Sequence, residues 1–267
     1  MGKALLTRKG NLVFGVINST DVVAKARDIH KTSPTATALL GRVLTGSIIY
    51  SLMIRGTQPK NITVEIVCFG PAKRVIAQVR TDGRVRGYIA NPNADLPVRS
   101  DKKLDVAGIV EGGIMRVIRE GYVSEVPLIS GEIGEDFAYF LYQSEQRRSA
   151  VGLGVLVGEY GQVVSAGGFI IEVLADATDK EINSVEEKLK GFSVSKYLSM
   201  GRDSIDLLKF LAGDDAEPID ERDYVYECWC DYERLLETVL NDESIEDNTV
   251  ATCIFCKKEY IIRKPKN

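Results

Sequence analysis

The sequence predicts an α+β fold in three unequal parts: an N-terminal mixed α/β domain of two layers, a helical linker, and a small C-terminal four-cysteine zinc domain. Three observations predict it. Up to about residue 175, short runs alternate apolar and polar residues between glycine turns, around one long apolar helix. From Asp176 the chain turns acidic and reads as short helices. Near the C-terminus, four of the five cysteines fall into two close pairs. The expected domains are therefore residues 1–175, 176–222 and 223–267.

Taken in order, residues 3–17 read as a hairpin, with Ala4–Thr7 and Leu12–Ile17 flanking Lys9-Gly10-Asn11. Ser33-Pro34 starts a helix, with a capping serine and proline at the first helical position. It is expected to run to about Ile54. Ala36, Ala38, Gly41, Gly46 and Ser47 allow close approach, while Leu39, Leu40, Val43, Leu44, Ile48 and Ile49 supply apolar surface. Such a helix is too apolar for the surface and reads as the spine of the first domain. Asn61–Cys68 alternates as a strand. Lys73–Arg80 and Arg84–Ala90 flank the hairpin signal Asp82-Gly83. Gly113–Glu120 alternates again, and Glu135–Arg147 reads as a helix rich in aromatics. Val151–Val157 and Val163–Leu174 form a further hairpin. Its Gly152-x-Gly154 precedes a strand, and Gly158 comes one residue late for G-x-G-x-x-G, so nucleotide binding is not expected.

In the linker, Thr178 caps a helix to about Lys190 with Ile182, Val185 and Leu189 on one stripe. Helices over Ser193–Met200 and Ser204–Leu211 follow, stopped by Gly201 and Gly213, and Asp214–Pro218 connects onward. Helices this short, with stripes this narrow, hold their fold mainly by docking. They are expected on an apolar face of the N-terminal sheet. Charge follows the same division. Residues 1–175 carry 21 Lys+Arg and 16 Asp+Glu, residues 176–252 carry 8 and 21, and residues 253–267 carry 5 and 1.

The C-terminal part reads Cys228-Trp229-Cys230, then 22 residues, then Cys253-Ile254-Phe255-Cys256. Two paired-cysteine turns at this separation have the spacing of a structural four-thiolate Zn²⁺ site. The expected ligands are Cys228, Cys230, Cys253 and Cys256, with one Zn²⁺ per chain in the reduced form. His30, the only histidine, lies far away in sequence. C-x-x-C is also a common redox pair. A disulfide within C-x-C would close a strained ring, a poor staple but a plausible reversible switch. Cys68, in a strand, reads as a small buried hydrophobe. Between the pairs, Asp231–Leu240 reads as a helix with Leu235, Leu236, Val239 and Leu240 apolar.

No stretch approaches twenty uninterrupted apolar residues, and the N-terminus lacks the apolar region of a signal peptide, so a cytoplasmic protein without a membrane partner is expected. The acidic segment opposes a nucleic-acid grip, which Lys257, Lys258, Arg263, Lys264 and Lys266 favour only weakly. A thiol–disulfide oxidoreductase needs a low-pKa cysteine at a helix N-terminus, and strand-like Val250-Ala251-Thr252 before Cys253 does not provide one. No nucleophile–base constellation is evident, so no enzyme is expected.

The chain resembles the redox-regulated chaperones of the 33 kDa chaperonin, or HslO, family. Pro34-Thr35-Ala36 with Leu40-Gly41-Arg42 carry the resemblance, as do Val79–Asn91 around Gly83 and Ser130-Gly131-Glu132-Ile133-Gly134-Glu135-Asp136-Phe137. Ser144-Glu145-Gln146, Val151–Val155, Ala166-Gly167-Gly168-Phe169 and the cysteine pairs with Tyr260 complete it. The resemblance implies an ATP-independent holdase, inactive while reduced and zinc-bound. It implies redox disulfides Cys228–Cys230 and Cys253–Cys256, zinc release, and unfolding of the zinc domain and linker. It further implies unfolding client proteins as partners and a homodimer in the activated form. Two departures are a short spacer between the cysteine pairs and Lys257 directly after Cys256, where a small or polar residue is usual.

Overall fold

The structure is a computed structural model and describes residues 1–54, 59–240 and 248–263. The chain opens with the hairpin β1 (Gly2–Lys9) and β2 (Leu12–Asn18), then α1 (Thr20–His30) and α2 (Pro34–Leu52). Next come β3 (Asn61–Cys68), β4 (Arg74–Arg80), β5 (Arg84–Ile89), α3 (Val106–Val110), β6 (Gly113–Arg119) and β7 (Tyr122–Pro127). Then follow α4 (Gly134–Glu145), β8 (Arg148–Val157) and β9 (Val163–Val173). The linker forms α5 (Asp179–Leu189), α6 (Val194–Leu198) and α7 (Ser204–Ala212), and leads into β10 (Asp220–Tyr226). The C-terminal part holds α8 (Tyr232–Leu240), β11 (Val250–Thr252) and β12 (Glu259–Ile261). On α8 the side chains of Val239 and Leu240 lie outside the described residues, as do Lys264 and Lys266.

Local chemistry accounts for the main elements. The Ser33 side chain accepts from Ala36 N–H, and Pro34 occupies the first turn of α2. By length and composition α2 could cross a membrane, but 94% of that apolar window is buried inside the protein, where it forms the spine of the core. At Gly46 a Cβ would meet the Phe137 ring at 2.6 Å, so only glycine lets α4 pack this close. The Ser130–Phe137 motif also has a local reason. Buried Asp136 accepts backbone N–H bonds from Ile129 at 2.8 Å, Ser130 at 2.9 Å and Ile133 at 2.9 Å, which pays the cost of burying a carboxylate and fixes the entry to α4.

The ten strands of the main sheet run in the order β7-β6-β3-β4-β5-β10-β1-β2-β9-β8. β10 is the seam. Its first part pairs antiparallel with β1, from Leu6↔Asp220 to Gly2↔Tyr224. Its last residues pair parallel with β5, as Val225↔Arg84 and Tyr226↔Val85. The strand crosses the 222/223 position expected as a boundary, and its Tyr224 and Tyr226 belong to the core. Helices α1, α2 and α4 cover one face of the sheet. On the other face, Leu5, Leu12, Phe14, Val16, Phe169 and Ile171 of β1, β2 and β9 meet Val185, Val194, Leu198, Leu207, Leu208 and Leu211 of the linker helices. The linker therefore docks as its narrow stripes predict. Phe192 stacks on Phe210 at 4.7 Å and packs on Tyr197 at 5.6 Å, tying the linker helices to one another.

Candidate metal centre

β10 delivers Cys228 two residues after buried Tyr226. The first pair then turns into α8. The second pair occupies the loop of the small hairpin β11–β12, in register as Val250↔Ile261, Ala251↔Tyr260 and Thr252↔Glu259. Lys257 N–H donates to Cys253 O and Cys253 N–H to Lys258 O, both at 2.9 Å, which closes the turn. Lys257 has φ 61°, a left-handed conformation that favours glycine or asparagine. This is a physical reason why a small or polar residue suits that position.

The turns bring the four thiols together. All four Sγ atoms lie within 4.8 Å of one another. Cys228 Sγ is 3.7 Å from Cys253 Sγ, and Cys230 Sγ is 3.5 Å from Cys256 Sγ. Four sulfurs at about 2.3 Å from a tetrahedral ion stand about 3.8 Å apart, so the donor set fits a closed thiolate site for Zn²⁺. All five cysteines are free thiols. Cys68 is buried in β3, where burial pushes its thiol up to about 12.

A family model described as Hsp33 protein matches residues 3–263. The chain belongs to the Hsp33 family. It is 39% identical over 264 residues to the 33 kDa chaperonin of Thermoanaerobacter sp. (strain X514), covering 93% of this chain and 90% of that protein. The 33 kDa chaperonin of Thermus thermophilus is 37% identical over 285 residues, covering 97% and 84%. Among solved structures, the crystal structure of the 33 kDa chaperonin (heat shock protein 33 homolog) from Thermotoga maritima superposes with a TM-score of 0.86 at 32% identity, covering 98% of this chain and 94% of that one.

In this Hsp33 chain the cluster is not freely suspended. Tyr260 lies with its hydroxyl 3.0 Å from Cys230 Sγ. Arg86 Nη1–H donates to Cys228 Sγ at 3.5 Å. Burial raises the Cys228 thiol above its ordinary value and pushes Cys256 up to about 12. Burial acts in the same direction on Cys230, but hydrogen bonds from Tyr260 and from neighbouring thiols outweigh it and hold that thiol low. The Tyr226 hydroxyl lies 2.5 Å from Gly87 O and 3.1 Å from Phe255 O, so it bridges the core strand β5 and the second cysteine turn. His30 Nε2 approaches the same oxygen at 3.0 Å. Burial, and then the charge of Lys257, lower the His30 pKa.

The expected cysteines thus meet, and His30 stands apart from them as a supporting group. Sequence reasoning did not assign Arg86, Tyr226 or His30 to this region. The one available signal was the aromatic at the centre of each turn, Trp229 and Phe255, because a half-buried aromatic beside paired cysteines calls for a partner surface.

Proposed function

We propose that this chain is a redox-regulated, ATP-independent holdase whose C-terminal cysteine module keeps an apolar surface covered until it is oxidised. Cys228, Cys230, Cys253 and Cys256 are the proposed ligands of one Zn²⁺ in the reduced form. Bound there, the ion would hold four thiolates and pin the two turns to each other. The observation that carries the reading is the continuity of the cover with the cluster. Leu207, Leu208 and Leu211 lie buried on the face of β1, β2 and β9, and the same chain passes through β10 into Cys228.

Oxidation acts on the sulfurs. A Cys thiolate attacks one oxygen of hydrogen peroxide, the O–O bond breaks, and a sulfenic acid forms as the other oxygen leaves as water. The neighbouring thiol attacks that sulfur and expels a second water, so two thiols and one peroxide give one disulfide and two waters. The proposed pairs are Cys228–Cys230 and Cys253–Cys256. Disulfide sulfurs are poor metal ligands, so the two turns lose their common anchor. With so small a core of their own, the two cysteine turns, α8 and the β11–β12 hairpin then lose their fold, and the linker helices α5–α7 loosen on the N-terminal domain. The uncovered apolar surface holds unfolding proteins, a role in line with the name 33 kDa chaperonin carried by the relatives from Thermoanaerobacter and Thermus. Family resemblance extends the proposal to a cytoplasmic protein whose activated form is a homodimer.

The test is zinc content and suppression of client aggregation, each measured before and after peroxide. One equivalent of zinc with no suppression, followed by loss of zinc with suppression, is expected. Suppression that is unchanged by peroxide would contradict the redox switch.

A further inference from the structure

We propose that Arg86 is a positioning residue that clamps both cysteine turns onto the core sheet and sets the electronic state of the Cys228 sulfur. The inference rests on reading the cluster as a metal site, and it concerns a residue of the core rather than of the cysteine module.

The guanidinium of Arg86 lies between two rings. Its carbon is 4.0 Å from the Trp229 ring centroid and 4.1 Å from that of Phe255. Trp229 is the middle residue of C-x-C, and Phe255 belongs to C-x-x-C, so one cation holds one aromatic from each turn. A planar guanidinium offers two faces for this, which an ammonium does not. The edge of the same group is also used. Nη1–H donates to Cys228 Sγ at 3.5 Å, and Nε–H donates to Gln78 Oε1 at 2.8 Å. Gln78 Nε2–H in turn donates to Thr63 Oγ1 at 3.1 Å. A hydrogen-bonded row therefore crosses β3, β4 and β5 and ends on a sulfur of the cluster. This row fixes the guanidinium before the module docks.

Four thiolates around one Zn²⁺ carry a net negative charge, and a hydrogen-bonded cation beside one of them offsets it. When the turns separate, the sulfur contact and both ring contacts are lost together. Arg86 is thus placed to make docking of the module on the core depend on both turns being held.

Trp229 is the only tryptophan, so its emission reports the clamp directly. In the reduced full-length protein, Arg86→Met is expected to shift Trp229 emission to the red. It should also weaken zinc about 10–100-fold in competition with a chromophoric chelator, the range typical of a lost outer partner. In the cobalt-substituted protein the sulfur-to-metal charge-transfer band should move to lower energy, because the N–H donor no longer stabilises the sulfur lone pairs. Arg86→Lys keeps the charge but not the planar fork, and should resemble Arg86→Met in emission. Gln78→Ala, a milder change outside the module, should shift both readouts less and in the same direction, and serves if Arg86→Met fails to fold. Wild-type emission and wild-type zinc affinity in Arg86→Met would overturn the proposal. Full recovery by Arg86→Lys would overturn the clamp by leaving charge alone. A wild-type protein that binds neither zinc nor cobalt would instead sink the metal reading, and Trp229 emission would still decide the clamp.

Discussion

At the scale of single residues, the thiols differ although they share one site. Burial holds Cys228 and Cys256 protonated well above neutrality, whereas donors around Cys230 favour its thiolate. A metal ligand must be deprotonated, so binding expels protons from Cys228 and Cys256. The sign follows: zinc affinity should rise with pH through the neutral range and fall on acidification. Chelator competition at several pH values checks this, and a pH-independent affinity would count against thiolate ligation. Cys230→Ser removes from a closed site the thiol whose neighbouring donors favour its thiolate. It should weaken zinc by more than the roughly 10–100-fold lost with an outer partner, and loosen the linker without any oxidant. Zinc loss with no gain in aggregation suppression would separate the metal from the linker. The ligand cysteines were legible in the sequence because their spacing is a property of the chain. The support from Arg86 was not, because it lies 142 residues from Cys228 and meets it only through the pairing of β10 with β5.

At the scale of elements, the cover is unevenly secured. α7 buries Leu207, Leu208 and Leu211 against the sheet, whereas α5 buries only Val185. Beneath α5 lies an apolar cleft of about 360 Å³ lined by Leu12, Tyr142, Ile171, Ile182 and Leu189. α5 is held at its start by Glu181, whose carboxylate accepts from the backbone N–H of Thr178 and Asn11 and is held down to about 2. Leu208→Ala should therefore cost about 2–5 kcal/mol of docking stability and raise hydrogen exchange across α5–α7 in the reduced protein. Exchange unchanged in those helices would show that α7 does not secure the cover. Most elements could be read from periodicity and caps, including the Ser33 and Thr178 starts. Three were not. α1 presents only Val22, Val23, Ala26 and His30 inward, too sparse a stripe to stand out. β7 is an edge strand with Val123 exposed. β10 carries Asp220, Glu221, Arg222 and Asp223 ahead of its two buried tyrosines, so its charged surface hid a strand whose partners, β1 and β5, both lie far back in the N-terminal part of the chain.

At the scale of the whole molecule, the fold places a cover, a seam and a sulfur cluster along one continuous stretch. β10 joins the two halves of the sheet and lies between the linker and Cys228, so the seam is the one segment that connects the cover to the cluster along the chain. The sequence made the sequence of parts readable, but not that the seam belongs to the core, because the parallel pairing with β5 spans only two residue pairs. The most direct measurement is hydrogen exchange on the reduced, zinc-loaded protein and on the same protein after peroxide. Exchange is expected to rise first in residues 228–240 and 248–262, then in residues 178–212, and to change little in residues 61–90 of the sheet. A cysteine module that opens while residues 178–212 keep their protection, or a uniform rise across all three regions, would contradict a linker released by oxidation of the cluster.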